Sequence, residues 1–173
     1  MIKDIIRQVF AFIAFLLAQV LLVNNIHVQV FWFVNPMVYI GFVLLLPIDT
    51  PKWLLLVSAF AMGSMVDIFG STPGMHASAT VLTAFLRHYL HSVIIPRDNF
   101  QPATIPNAAN FGLQWFIKYV GIMVGIHHFF LFFIEAFSFS QIHIVILKTL
   151  ASGFFTVILL LAAQLFALGR NNK

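Results

Sequence analysis

Residues 129–134, FFLFFI, decide the fold class, because they form an uninterrupted apolar stretch. They belong to a longer apolar run, Leu113–Ile134, which as a helix can cross a hydrocarbon core about 30 Å thick. A strand of a membrane barrel would instead alternate apolar and polar residues over about 10 positions. The stretch therefore predicts a transmembrane α-helix.

The composition of the whole chain indicates the same environment. Of 173 residues, 61% are hydrophobic and 8% are charged, whereas a soluble domain carries about 25% charged residues. So few charges cannot cover a water-exposed surface, and lipid is the solvent that fits. The absence of cysteine excludes disulfides, thiolate metal ligands and a cysteine nucleophile. The nine Lys and Arg residues are scattered, so no nucleic-acid-binding patch is expected.

Six apolar stretches predict an all-α, polytopic membrane protein whose single domain covers residues 1–173. The fourth stretch contains Arg87, which we expect about 10 Å from the membrane boundary, with its side chain extended towards water. The predicted spans are residues 5–23, 30–46, 53–69, 75–95, 113–134 and 142–168.

The positions of Lys and Arg predict the orientation of these spans, because both residues collect in short cytoplasmic loops. They occur at the N-terminal end, in the turn at 47–52, around the connection between the fourth and fifth spans, and in the tail. The other three connections contain neither residue. This alternation requires an even number of spans and places both termini in the cytoplasm.

Each predicted span carries a polar residue at a similar estimated depth on the external side. We interpret these residues as a candidate intramembrane polar layer, which could form an outward-facing pocket or could bond neighbouring helices together. The layer consists of Gln19, Asn35, Asp67, His76, His127 and Lys148.

Two interpretations of Asp67 follow from the same residues. It could cap the first turn of the next helix, where free backbone N–H groups favour a carboxylate. Alternatively, Asp67 and Lys148 could face each other or share a wet, outward-facing pocket, because their estimated depths match, their charges are opposite and a lone charge at that depth is costly.

The remaining chemistry-bearing residues do not form a recognisable reaction centre. His127 and His128 are about 100° apart on a helix, so we expect at most one to point into the bundle centre. Histidine, aspartate and lysine without a second carboxylate are not a familiar metal-ligand set. No serine stands in a nucleophile motif. The sequence therefore predicts no enzyme, no cofactor and no metal site.

The stretch MGSMVDIFGSTPGMHASAT at residues 62–80 resembles the MreD family, the rod shape-determining proteins of bacteria. In that family a small-residue helix ends in Asp and two apolar residues, and a short turn with Gly leads into an apolar helix. Asp67 and Gly74 match its most characteristic positions. Residues 85–87, FLR, match the family's helix end, and Asn35-Pro36 fits its second helix.

The resemblance implies a non-catalytic inner-membrane scaffold of the cell-elongation complex, acting in cell shape and lateral peptidoglycan synthesis. It implies an MreC-like bitopic partner and, through it, MreB-like filaments and a glycan polymerase and transpeptidase pair. It also implies a fold similar to the substrate-binding components of vitamin-uptake transporters. A small-molecule-binding component of such a transporter is therefore the alternative function, and an intramembrane enzyme using Asp67 is a weaker third.

Small residues on the third and fourth spans predict a close helix contact, because they allow two backbones to approach. The contact could join these two helices to each other or form a face for a partner. The residues concerned are Ala59, Gly63, Ser64, Ala77 and Ser78.

Overall fold

The computed structural model describes residues 2–23, 34–94 and 104–171, and every regular element in these ranges is a helix. The longer elements match five of the six predicted spans to within a few residues. The helices are α1 (Ile2–Leu17, continued by a π-helical turn at Ala18–Leu22), α2 (Ile40–Leu44), α3 (Lys52–Gly70), α4 (Met75–Ile94), α5 (Ala108–Phe111), α6 (Leu113–Ala136) and α7 (Ile142–Asn171, preceded by a 3₁₀ turn at Phe139–Gln141).

Four stretches of the described chain are helical, long and apolar enough to cross a membrane: Asp4–Leu21, Lys52–Gly70, Leu113–Ala136 and Phe139–Ala167. Their outward-facing side chains are large and apolar, which suits lipid and not water. The chain is thus a helical membrane protein. Helix α4 has a similar length but contains an arginine and three histidines, and it is not among the four.

The second predicted span is not a continuous helix. Residues 30–33 of that prediction lie outside the described part of the chain, and residues 34–37 have no regular structure. Only Ile40–Leu44 is α-helical. Pro36 explains the break, because proline has no N–H to donate and disfavours helical geometry at the preceding residue.

Helix α2 is short but lies at the centre of the molecule. All five of its residues are buried, and Phe12 of α1 packs edge-on against Phe42 with ring centroids 5.2 Å apart. A Cβ atom on Gly41 would lie 2.6 Å from atoms of both Phe15 and Leu160, so α1 and α7 come close to α2 at this glycine.

Two antiparallel hairpins, α3–α4 and α6–α7, surround α2. Helices α4 and α6 also run antiparallel to each other. The indole of Trp115, at the start of α6, donates to the carbonyl of Ile94 at the end of α4. At the opposite end, Tyr39 bonds to both His76 of α4 and His127 of α6. The α3–α4 turn and the α6–α7 connection therefore lie at the same end of the bundle.

Candidate functional site

The interrupted segment before α2 is held by side chains from other helices. In lipid every backbone polar group needs a partner inside the protein, and irregular backbone is tolerated only where such partners exist. The N–H of Asn35 donates to Ser152 Oγ and the N–H of Met37 donates to Thr156 Oγ1, both at 2.9 Å. Helix α7 thus supplies one side of this support.

Gln19 supplies the other side from the π-helical turn of α1. Its amide nitrogen donates to the carbonyl of Pro36 at 3.1 Å, and its amide oxygen accepts from the N–H of Tyr39 at 3.3 Å. Gln19 is buried, as its place in the polar layer requires. Asn35 is itself exposed, and its hydrogen bond to Ser152 comes from its backbone and not from its side chain.

Tyr39 joins two members of the predicted polar layer. Its hydroxyl lies 2.9 Å from His76 Nδ1 and 2.9 Å from His127 Nε2, and the Tyr39 side chain is fully buried. A phenol has one hydrogen, so it donates to one imidazole and accepts from the other. The second ring nitrogen of His127, Nδ1, is buried and has no hydrogen-bond partner among the described residues.

His127 and His128 are both fully buried, so the expectation that at most one points inwards was wrong. Helix α6 lies between α4 and α7, which leaves inward faces on two sides. His128 Nδ1 lies 2.9 Å from the carbonyl of Val124, and Nε2 lies 3.0 Å from Thr156 Oγ1. Because a carbonyl only accepts, His128 Nδ1 carries a hydrogen and donates it to Val124. The Thr156 hydroxyl also lies 2.9 Å from the carbonyl of Ser152, so its single hydrogen serves only one of these two contacts.

Asp67 caps helix α4, which was one of its two predicted roles. Its carboxylate accepts from the backbone N–H groups of His76 at 3.0 Å and Ala77 at 2.9 Å, and from the hydroxyl of Thr72 at 3.0 Å. These N–H groups belong to the first turn of α4, and the N–H groups of a first turn have no acceptors within their own helix. The turn itself uses left-handed backbone at Gly74, with φ +82°, a conformation that glycine adopts without strain. The motif residues Asp67 and Gly74 therefore build the α3–α4 turn.

The alternative pairing of Asp67 with Lys148 was wrong. Lys148 Nζ lies 3.1 Å from Glu135 Oε1, and it also lies 5.6 Å from the ring centroid of Phe132. The estimate of matched depth did not include the direction in which each side chain leaves its helix. Lys148 reaches back to the end of α6, where Glu135 is available.

The small residues of α3 and α4 form an internal contact. A Cβ on Gly63 would lie 2.5 Å from the Cα of Ala77 and 2.7 Å from the carbonyl oxygen of His76, so the two backbones touch. Gly63 and Ala77 are buried in this contact and Ala59 is also buried, whereas Ser64 and Ser78 are half-buried.

A second buried polar cluster, at the opposite end of α2, was not predicted. Arg87 is 1% exposed and does not extend towards water. Its guanidinium donates to the hydroxyl of Tyr119 and to the backbone carbonyls of Leu46 and Pro47, and Tyr119 donates in turn to the carbonyl of Leu44. These carbonyls follow or end α2 and have no partners within it. The sequence signal was an arginine in α4 and a tyrosine in α6, two polar side chains within predicted membrane spans.

No protein-family model matches the chain, and no curated protein or solved structure matches it significantly. In the part of the chain that the structure describes, no group of three or more His, Cys, Asp or Glu residues could hold a metal ion. The arrangement of the polar groups is therefore the main guide to function.

Removal of the Asp67 cap should destabilise the protein. We expect Asp67→Ala to lower the free energy of unfolding by about 2 kcal/mol, because it leaves two buried N–H groups without an acceptor. Asp67→Asn should cost about half as much, since the amide retains one acceptor oxygen. Thermal unfolding in mild detergent measures both losses. Glu135→Gln is the matched control, because an exposed ion pair contributes under about 1 kcal/mol; a loss for Asp67→Ala no larger than that for Glu135→Gln would contradict the capping role.

Proposed function

We propose that the protein is a non-catalytic inner-membrane scaffold of the bacterial cell-elongation complex. It contributes to cell shape and lateral peptidoglycan synthesis by binding an MreC-like bitopic protein. The observation that carries this proposal is that the buried polar side chains form hydrogen bonds to the backbone of the protein itself. Gln19, Ser152, Thr156 and Arg87 bond to the backbone around α2, and Asp67 bonds to the backbone of α4. Polar groups employed in this way fix the shape of a rigid bundle.

The resemblance of residues 62–80 to the MreD family supports the identity of the complex. Its two most characteristic positions, Asp67 and Gly74, form the turn on which the α3–α4 hairpin depends. A motif whose residues maintain a helix hairpin suits a protein that presents a surface and performs no reaction. The proposal includes six spans with both termini in the cytoplasm, and the alternation of cationic residues supports that topology.

A specific observation favours the alternative of a small-molecule-binding transporter component. His127 Nδ1 is buried without a partner among the described residues at the level where Tyr39 and His76 meet, and the backbone at residues 34–37 is irregular there. Transporters bind substrates next to such interruptions. In this chain, however, the N–H groups of Asn35, Met37 and Tyr39 are already bonded to side chains of the protein.

Purification of the tagged protein from its own membranes in mild detergent should separate the two functions. We expect a single-span partner with a coiled-coil segment to co-purify, and we expect depletion of the protein to round rod-shaped cells. Co-purification of an ATPase module, together with thermal stabilisation by a vitamin-like ligand, would contradict the scaffold and support the transporter component. Rods that keep their shape after depletion would also contradict the proposal.

A further inference from the structure

A cleft of about 120 Å³ lies where α6 ends and α7 begins. Two of its lining residues, Phe132 and Val145, are apolar and buried. Glu135, Gln141 and Lys148 also line it, and all three are at least partly exposed. The cleft thus combines apolar lining residues with one anionic, one cationic and one amide side chain.

The two charged groups of the cleft retain bonding capacity. The side chains of Lys148 and Glu135 are 22% and 44% exposed, and they form one hydrogen bond to each other. An ammonium group has three donors, and a carboxylate has about four acceptor sites. Within the described ranges neither group has another hydrogen-bonding partner. A ligand with an anion and a hydrogen-bonding cation could therefore bind to both groups at once.

The position of the cleft indicates that such a ligand comes from the membrane. The cleft lies at the ends of two candidate membrane spans, where lipid headgroups are found. Phe137 and Phe139, in the connection between these spans, are 87% and 80% exposed, and exposed side chains this apolar suit contact with lipid and not with water. Ile144 and Leu147 on α7 are also exposed and apolar, so acyl chains can lie beside the cleft.

We propose that the cleft binds the headgroup of a phospholipid carrying a primary ammonium group, such as phosphatidylethanolamine. The lipid phosphate pairs with Lys148, and the lipid ammonium donates hydrogen bonds to Glu135. Phosphatidylcholine satisfies Lys148 but has no N–H to donate to Glu135. Phosphatidylglycerol brings a negative charge next to Glu135 without a compensating cation. The cleft therefore distinguishes phosphatidylethanolamine from phosphatidylcholine by hydrogen bonding and from phosphatidylglycerol by charge, independently of the scaffold function.

Lipid titration of the purified full-length protein in detergent tests this site. Phosphatidylethanolamine, phosphatidylcholine and phosphatidylglycerol with identical acyl chains are added separately, and native mass spectrometry counts the bound lipids. We expect phosphatidylethanolamine to bind roughly tenfold more tightly than the other two, which corresponds to one hydrogen bond to a charged group. Equal binding of phosphatidylethanolamine and phosphatidylcholine to the unaltered protein would overturn the proposal without recourse to any variant.

Two variants assign the contacts. Glu135→Gln should lower the affinity for phosphatidylethanolamine roughly tenfold, to the level of phosphatidylcholine, and Lys148→Gln should weaken both lipids. Lys118→Gln removes an exposed lysine near the other end of α6 and should change neither affinity. Water-soluble glycerophosphoethanolamine tests whether the ligand is a lipid or a free headgroup. If it bound as tightly as the lipid, the proposal that the ligand comes from the membrane would be overturned. A Glu135→Gln protein that still prefers phosphatidylethanolamine would overturn the assigned contact.

Discussion

Gly63→Ala should destabilise the protein by about 3 kcal/mol, which corresponds to a fall in melting temperature of roughly 10 °C. The new Cβ atom would lie 2.5 Å from the Cα of Ala77 and 2.7 Å from two further backbone atoms. Backbone atoms cannot rotate away as side chains do, so α3 and α4 must separate. Separation also stretches the bonds from Asp67 to the first turn of α4. One methyl group thus disturbs both the contact and the cap.

Gly121→Ala is the matched control, because a Cβ atom at Gly121 meets no atom of the described ranges within 4 Å. Both substitutions exchange glycine for alanine inside a helix, which by itself favours the helix by about 1 kcal/mol. We therefore expect Gly121→Ala to be neutral or slightly stabilising. Melting curves in the same detergent compare the two variants. If Gly63→Ala and Gly121→Ala had the same melting temperature, the close approach of the two backbones would be refuted.

Replacement of Arg87 should have an effect of comparable size. We expect Arg87→Met to lower the free energy of unfolding by about 2–4 kcal/mol, because the buried carbonyl of Leu46 loses its donor, whereas that of Pro47 still accepts from Thr50. Removal of a buried charge offsets part of this loss. Arg87→Lys should cost less, since an ammonium keeps the charge and can donate to one of these carbonyls.

Arg7→Met is the control for the loss of an arginine. Arg7 is 52% exposed, and its closest carboxylate is that of Asp4 at 3.7 Å. An exposed pair of this kind contributes under about 1 kcal/mol. Chemical or thermal unfolding of the three arginine variants in one detergent gives the comparison. Similar losses for Arg87→Met and Arg7→Met would mean that Arg87 does not support α2.

The sequence predicts helices wherever apolar length is sufficient. This rule places the ends of α3, α4, α6 and α7 within about three residues, because each helix is bounded by proline, glycine or polar turns. It fails at residues 34–39, where Asn35-Pro36 interrupts the helix although the apolar composition continues. Hydropathy indicates whether a segment lies in lipid or in water. It does not indicate whether the backbone hydrogen bonds of that segment are formed within a helix or to distant side chains.

For the candidate site, the sequence predicts the depth of each residue along its helix but not the direction in which its side chain points. Gln19, His76 and His127 meet around the segment before α2, because depth along each helix follows from counting residues. Lys148 has Glu135 as its partner instead of Asp67, since a largely apolar helix gives no sign of which face is inward. The direction of the Arg87 side chain was also predicted wrongly, since its partner Tyr119 lies on another helix, 32 residues away in the sequence.

The support of the segment before α2 has a consequence for biogenesis. The N–H groups of Asn35 and Met37 are bonded to side chains that lie 117 and 119 residues later in the chain. While a ribosome is still producing α3 to α6, these partners do not yet exist. Until α7 is inserted, the N–H groups of this segment need other hydrogen-bond partners, such as water at the membrane surface. The support of this segment is therefore complete only after α7 is inserted, and a nascent chain that stops before Ser152 lacks it.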